Sequence, residues 1–261
     1  MEEGTIRLNS DLPETPSPPS LRWISASATD VGKVRKVNED SLLEAPQTGL
    51  WAVADGVGGA SAGDWASALT VQALGQISKP TTMSGFLAEV YDQIGSSNGA
   101  LRRRAQVEGH QAIATTIVTL LFCEERFACV WAGDSRLYLL RNGRLAQISR
   151  DHSEVQELVD AGVLSASQAR HHPRGNIVTK AVGAFEQLEL EMTQDLLFEN
   201  DVFLLCSDGL TKTVEDEEVA AVLTRPIGEA VEELIRMALL RGAPDNVTVV
   251  AVKVLAPNAG T

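Results

Sequence analysis

Runs of apolar residues two to six long, separated by polar and glycine-bearing turns, dominate the chain and predict many short strands with a few helices between them. Strands are expected at 21–28, with a turn at 29–32, and at 50–54, where LWAVA ends abruptly in Asp55 and Gly56. From Asp64 onward Ala66, Leu69, Ala73 and Ile77 recur at helical spacing. A second helix is predicted over 84–107, with a break at Gly95–Gly99. The texture then turns to strands at 115–122 and 126–132, and at 137–140 and 145–148 around Asn142-Gly143, a pair that accepts positive φ and marks a tight hairpin. Residues 153–170 read as a polar amphipathic insert running into the loop RHHPRGN. Further strands are expected at 177–182, 188–192, 202–206 and 247–255, and helices at 215–223 and 228–240.

No repeat or linker divides 21–255, so this stretch is expected to form one domain. Residues 1–20, with four prolines among Ser, Thr, Glu and Asp, read as a disordered leader, and 256–261 as a short tail. The hydrophobic share of 44% supplies a sizeable core. A formal net charge of -13 argues against nucleic acid or an anionic membrane as partner, since either needs a basic stripe. Cys123, Cys129 and Cys206 lie in apolar runs without metal-site spacing and read as reduced core residues. With no apolar run long enough to span a bilayer and no signal-peptide pattern, the expected location is the cytoplasm.

Four carboxylates stand where an apolar run begins or ends: Asp55 before Gly56, Asp134 in AGDSR, Asp208 in CSDG and Asp245 in PDN. Strand ends meet in space, and acids held together raise one another's pKa unless a cation neutralises them, so a hard-metal site of magnesium or manganese type is the simplest account. A single Asp beside Gly at a strand end is often only a turn former. Four of them, together with the Glu39 and Asp40 pair, make that account alone a poor one. Arg35, just upstream of the pair, is either a surface arginine or a bidentate clamp for phosphate. His152 reads as a core histidine, His171 and His172 as loop residues, and Arg102–Arg104 as a solvated helix face. The strand, Gly-Val-Gly-Gly, helix order at 50–66 superficially fits a dinucleotide-binding turn. The required acid about 20 residues on is missing, since that region reads QISKPTTM.

Taken in order, VRKVNED, VADGVGG, AGDSR, CSDG and PDN closely resemble the metal-dependent serine/threonine protein phosphatases of type 2C in their compact bacterial form, across nearly the whole domain. The resemblance implies an α+β fold, a four-layer α/β/β/α sandwich of two antiparallel sheets flanked by helices. It implies two Mn2+ or Mg2+ ions per subunit and a third, weaker one. In that pattern Asp55 bridges the two ions, the carbonyl of Gly56 binds the first, and Asp208 and Asp245 bind the second. Asp134 with Asp208 makes the third site, Glu39 and Asp40 hold metal-bound water, and Arg35 holds the substrate phosphate, which a hydroxide between the ions attacks. Ser153–Gly175 resembles the family's flap. Val57 departs from the histidine that some eukaryotic relatives carry as proton donor, and Lys180 from an arginine common in bacterial relatives. The implied partners are phosphorylated proteins and a cognate Ser/Thr kinase, with the enzyme a monomer. Two other readings stay open: a catalytically silent phosphopeptide-binding module on the same fold, and a stress-signalling phosphatase of an anti-anti-sigma type partner. Stand-alone phosphatases of this kind also accompany kinases that control type VI secretion.

Overall fold

A computed structural model describes residues 21–57, 62–170 and 172–256. The expected leader, and the tail beyond Ala256, lie outside the described residues. The chain begins with strands β1 (Arg22–Asp30), β2 (Asp40–Ala45) and β3 (Leu50–Val57), followed by helices α1 (Gly63–Leu74) and α2 (Met83–Glu108). Strands β4 (Ala114–Thr115), β5 (Ile117–Cys123), β6 (Arg126–Ala132), β7 (Arg136–Arg141) and β8 (Arg144–Gln147) come next. Two short helices, α3 (Glu154–Asp160) and α4 (Ala166–Arg170), precede β9 (Glu191–Leu196) and β10 (Val202–Cys206). The one-turn helix α5 (Asp208–Thr211), α6 (Asp216–Val222), α7 (Ile227–Leu240) and β11 (Val247–Leu255) complete the described chain.

The strands form two sheets, ordered β1-β11-β10-β7-β8 and β2-β3-β5-β6-β9, with β4 paired to the far end of β3. Every named strand pair is antiparallel. Alternation along each strand explains the layers. In β5, Val118, Leu120 and Phe122 face the opposite sheet while Ile117, Leu121 and Cys123 face α1 and α2; in β11, Val250, Val252 and Val254 face inward while Val247, Val249 and Ala251 face α5, α6 and α7. Central strands covered on both faces read as nearly unbroken apolar runs. The layer between the sheets is anchored by tilted ring pairs, Trp51 with Phe122 at 5.0 Å, Phe122 with Phe203 at 5.3 Å and Phe127 with Phe203 at 4.8 Å. Such pairs add about 0.5–1.5 kcal/mol each beyond area burial. Two antiparallel sheets flanked by helices are the α+β sandwich expected from the resemblance.

Several boundaries differ from the sequence reading. The first strand continues through the expected turn to Asp30, because Thr29 and Asp30 pair with Thr248 and Val247. The strand before Asp55 also runs on, since Gly56 and Val57 pair with Thr115 and Ala114. Helix α2 has no break at Gly95–Gly99. Ser97 and Asn98 are buried there, and Asn98 takes the Gly183 N–H at 2.6 Å and donates to the Phe185 carbonyl at 3.1 Å. Those tertiary contacts override two glycines' weak helical preference. The strand expected at 177–182 is reduced to isolated bridges at Val178 and Val182, and the next begins three residues late, at Glu191. The Asn142-Gly143 hairpin is present, with φ of 52° and 74°. Cys123, Cys129 and Cys206 are buried and free. Among the described residues no helix is long and apolar enough to cross a membrane.

Candidate metal centre

One rim of the sandwich collects the acids. Asp40 and Asp55 are cross-strand partners on β2 and β3. Asp134 lies in the connection from β6 to β7, Asp208 opens α5 directly after β10, and Asp245 stands two residues before β11. These strand ends belong together because Cys206 pairs with both Arg136 and Val249. Hydroxyls tie the two sheets across the rim: Ser207 Oγ and Thr248 Oγ1 each donate to Asp40 Oδ2 at 2.7 Å, and the Thr116 and Ser135 hydroxyls meet at 2.7 Å. Asp55 is fixed through its backbone, its N–H donating to Thr116 Oγ1 at 3.0 Å and its carbonyl accepting from Thr115 Oγ1 at 2.9 Å. The Gly56 N–H donates to the Glu39 carbonyl at 3.1 Å.

The electrostatics are those of crowded carboxylates. Burial pushes Asp40 up to about 7, with the charges of Asp208 and Asp245 adding to it and the two hydroxyl hydrogen bonds opposing. Burial, with Asp208 and Asp151, pushes Asp134 up to about 8. Asp55 is raised well above the carboxylate range by burial and then by Asp40, Asp208, Asp134 and Asp245. Glu39 is raised by burial against the pull of Arg35. Among the described residues, Asp40 Oδ1 and Asp208 Oδ1 are buried oxygens without a hydrogen-bond partner. Buried acceptors left unpaired cost about 1–3 kcal/mol each, more when charged, unless a cation takes them. Oxygen donors with no Cys or His among them suit a hard divalent ion. By this test the residues fit the magnesium or manganese centre that the resemblance implies.

Two cations of the chain itself enter the same cluster. Arg35 grips Asp245 with Nε 2.9 Å from Oδ1 and Nη2 3.1 Å from Oδ2. Lys212 Nζ contacts Asp208 Oδ2 and lies 3.3 Å from Asp245 Oδ2. Among the described residues no three acidic, histidine or cysteine side chains are gathered into a ready cage. A divalent cation at Asp208 and Asp245 competes with Lys212 and Arg35 for the same oxygens.

Backbone packing is equally tight. A Cβ on Gly209 would lie 1.9 Å from the Asn246 carbonyl oxygen, so only glycine lets α5 start against β11. Asn246, 4% exposed, accepts the Glu39 N–H on Oδ1 at 2.9 Å and donates from Nδ2 to the Val31 and Val37 carbonyls, both at 3.0 Å.

The rim thus brings together Arg35, Glu39, Asp40, Asp55, Gly56, Asp134, Asp208 and Asp245. Residues 58–61 of the glycine-rich turn lie outside the described residues, as does His171; Val57 is the last described residue before the turn. His152 is a buried core residue. Its Nδ1 accepts the Gly133 N–H at 3.1 Å, and its ring stacks on Trp131. Lys180 pairs with Glu189 and Glu191. Arg102 and Arg104 make surface pairs, the latter also lying over Trp65. A cavity of about 340 Å³ is lined by Asp134, Asp208 and Lys212 of the rim together with Val155 and Arg170. Sequence reasoning did not single out Lys212, Ser207, Thr248 or Thr116. For Lys212 a signal existed, since it stands four residues after Asp208, the spacing of an i,i+4 pair on a helix.

A family model described as protein phosphatase 2C matches residues 33–242. The serine/threonine protein phosphatase PstP of Mycobacterium tuberculosis is 38% identical over 232 residues, covering 88% of this chain and 45% of PstP, so the chain spans about half the length of that relative. A putative protein phosphatase 2C-type of Streptococcus pyogenes is 32% identical, with 86% of this chain and 94% of that protein covered. Among solved structures, PppA, described as a key regulatory component of T6SS in Pseudomonas aeruginosa, is 44% identical with a TM-score of 0.85, covering 90% of this chain and 99% of that one. The catalytic domain of PstP in complex with two manganese ions is 36% identical with a TM-score of 0.83, covering 91% and 100%.

Proposed function

From the premise that this chain belongs to the protein phosphatase 2C family, we propose that it is a metal-dependent phosphatase removing phosphate from phosphoserine and phosphothreonine in proteins. The observation that carries this reading is the meeting of buried carboxylates, two with orphaned oxygens, beside the half-exposed fork of Arg35. Asp55, the Gly56 carbonyl, Asp208 and Asp245 would hold two Mn2+ or Mg2+ ions, Asp134 with Asp208 a weaker third, and Glu39 and Asp40 the water around them. When bound, such ions withdraw charge from phosphate oxygens and lower the pKa of water. With the Asp245 oxygens taken by such an ion, Arg35, which grips them here through Nε and Nη2, would offer a planar pair of donors at the mouth of the cluster, orienting a phosphate and offsetting the charge of its oxygens. Val57 carries no proton to give the leaving oxygen. No cysteine serves as nucleophile: all three are buried, and burial pushes the Cys206 thiol up to about 12. The 153–175 segment, which lines a cavity together with Asp134 and Asp208, would meet the substrate chain as a flap.

The substrates would be phosphorylated proteins, acted on by a monomer that opposes a Ser/Thr kinase. The similarity to PppA makes type VI secretion the first cellular context in which to seek them. The biochemical test is phosphate release from a phosphothreonine peptide in manganese, abolished by chelator. The manganese concentration for half-maximal rate should rise as pH falls from about 8 to about 6, because cation binding to carboxyls releases the protons they hold. Those protons belong to carboxyls whose raised values, about 7 at Asp40 and about 8 at Asp134, keep them protonated below neutrality. Tight phosphopeptide binding without turnover in manganese would instead identify a silent binding module.

A further inference from the structure

The loop between β1 and β2 is held by its ends and, in its middle, by the bonds of Arg35 to Asp245. Asn246 Nδ2 ties the carbonyls of Val31 and Val37 together, and the Lys33 N–H donates to the Ala243 carbonyl at 2.9 Å. Gly32 turns with φ of 79°, against Asp30 Oδ1 at 2.8 Å, where a Cβ would lie 2.3 Å from the Asp245 carbonyl oxygen. The five residues so presented, Lys33, Val34, Arg35, Lys36 and Val37, are all exposed. Even the valines face solvent, Val34 at 68% and Val37 at 55% exposure, so burial of apolar side chains does not explain the loop's shape. Arg35 reaches into the acidic cluster, whereas among the described residues no carboxylate pairs with Lys33 or Lys36. Three positive charges in five residues stand out on a chain with 35 acidic and 22 basic residues. A chain this acidic has no need of them for solubility, and the field of the carboxylate rim repels anionic substrates unless something at its mouth offsets it.

We propose that this loop reads the residues beside the phosphorylated one: Lys33 and Lys36 select protein segments that carry an aspartate or glutamate within about two residues of the phosphoserine or phosphothreonine held by Arg35. The two lysines stand two residues before and one residue after Arg35 in the chain, and an extended peptide advances about 3.3 Å per residue, so positions within about two residues of the phosphorylated one are those proposed to meet them. The inference rests on the phosphatase reading above and names the substrate class for it.

The test compares two phosphothreonine peptides, identical except for glutamate or alanine at the flanking positions, with p-nitrophenyl phosphate as a substrate lacking any flank. The wild-type enzyme in manganese is expected to favour the glutamate peptide about three- to tenfold in kcat/KM, the range for two exposed charge pairs. The difference should lie in KM and shrink at high salt. The double variant Lys33→Ser with Lys36→Ser should hydrolyse both peptides equally, and Lys33→Glu with Lys36→Glu should prefer the alanine peptide, while turnover of p-nitrophenyl phosphate stays within about twofold because neither lysine touches the reacting group. Equal peptide rates in the wild type, or a preference that survives in the variants, would overturn this inference while leaving the phosphatase reading intact. Loss of turnover on every substrate in manganese would overturn that reading and this inference with it.

Discussion

Asp55→Ala is expected to lower manganese-dependent phosphate release by about 10²- to 10³-fold, the scale on which removing one group that stabilises transition-state charge acts, while leaving the protein folded. Both halves of the expectation come from the same environment. The Asp55 carboxyl is buried and raised well above its ordinary range by burial and by four neighbouring aspartates, so in chelator its ionised form is a burden on the fold. Deleting it relieves repulsion, and the melting temperature in chelator should stay level or rise. Added manganese should stabilise the wild type by mass action and the variant far less. Calorimetry with and without manganese, beside a kinetic assay, checks both. A variant that keeps its activity would remove Asp55 from the centre, and one that unfolds would show that the residue serves the fold.

Asn246→Ala should damage fold and site together. The side chain makes three hydrogen bonds to backbone groups of the 31–39 segment and is nearly fully buried. Losing it strands the Glu39 N–H and the Val31 and Val37 carbonyls. A net cost of about 3 kcal/mol follows from unpaired polar groups, and for a domain of this size that is a fall of about 6–12 °C in melting temperature. Because the same amide holds the loop carrying Arg35, kcat/KM should fall about 10- to 100-fold, as when an outer-shell partner of a metal site is removed. Asn246→Asp should not rescue either effect, since a carboxylate keeps the acceptor for Glu39 but turns the donor toward two carbonyls into another acceptor. A melting temperature within about 2 °C of wild type and unchanged kinetics would refute the clamp.

The contrast between Asp55 and Asn246 marks what the sequence could disclose. Asp55, Asp134, Asp208 and Asp245 were legible because each interrupts an apolar run, and a carboxylate at the border of a core strand has few bland explanations when four recur. The strands themselves were legible where both faces are buried, as in β5 and β11. Strand β9 was displaced because Glu191–Leu196 lies at a sheet edge, mostly exposed, and carries almost no apolar signal. Asn98 held α2 straight through a stretch that local preference would break, by contacts 85 and 87 residues away in sequence. The Asn246 clamp spans more than 200 residues between partners, and no local pattern encodes it. Lys212 lies one helical turn beyond Asp208, outside the strand-end pattern that marks the four aspartates.

These long-range ties also explain why the rim is built from expensive parts. Buried aspartates that repel one another persist because the three hydrophobic layers and the hydroxyl links between the sheets hold them in place, and the repulsion is what makes the rim attractive to a divalent ion. The central claim, that Asp55, Asp208 and Asp245 hold such ions, is tested most directly by anomalous scattering from manganese in crystals of the protein grown with it. The account predicts peaks at this rim, in contact with carboxylate oxygens of Asp55, Asp208 and Asp245 and with the Gly56 carbonyl. Manganese found only elsewhere on the protein, or none at millimolar concentration, would contradict it.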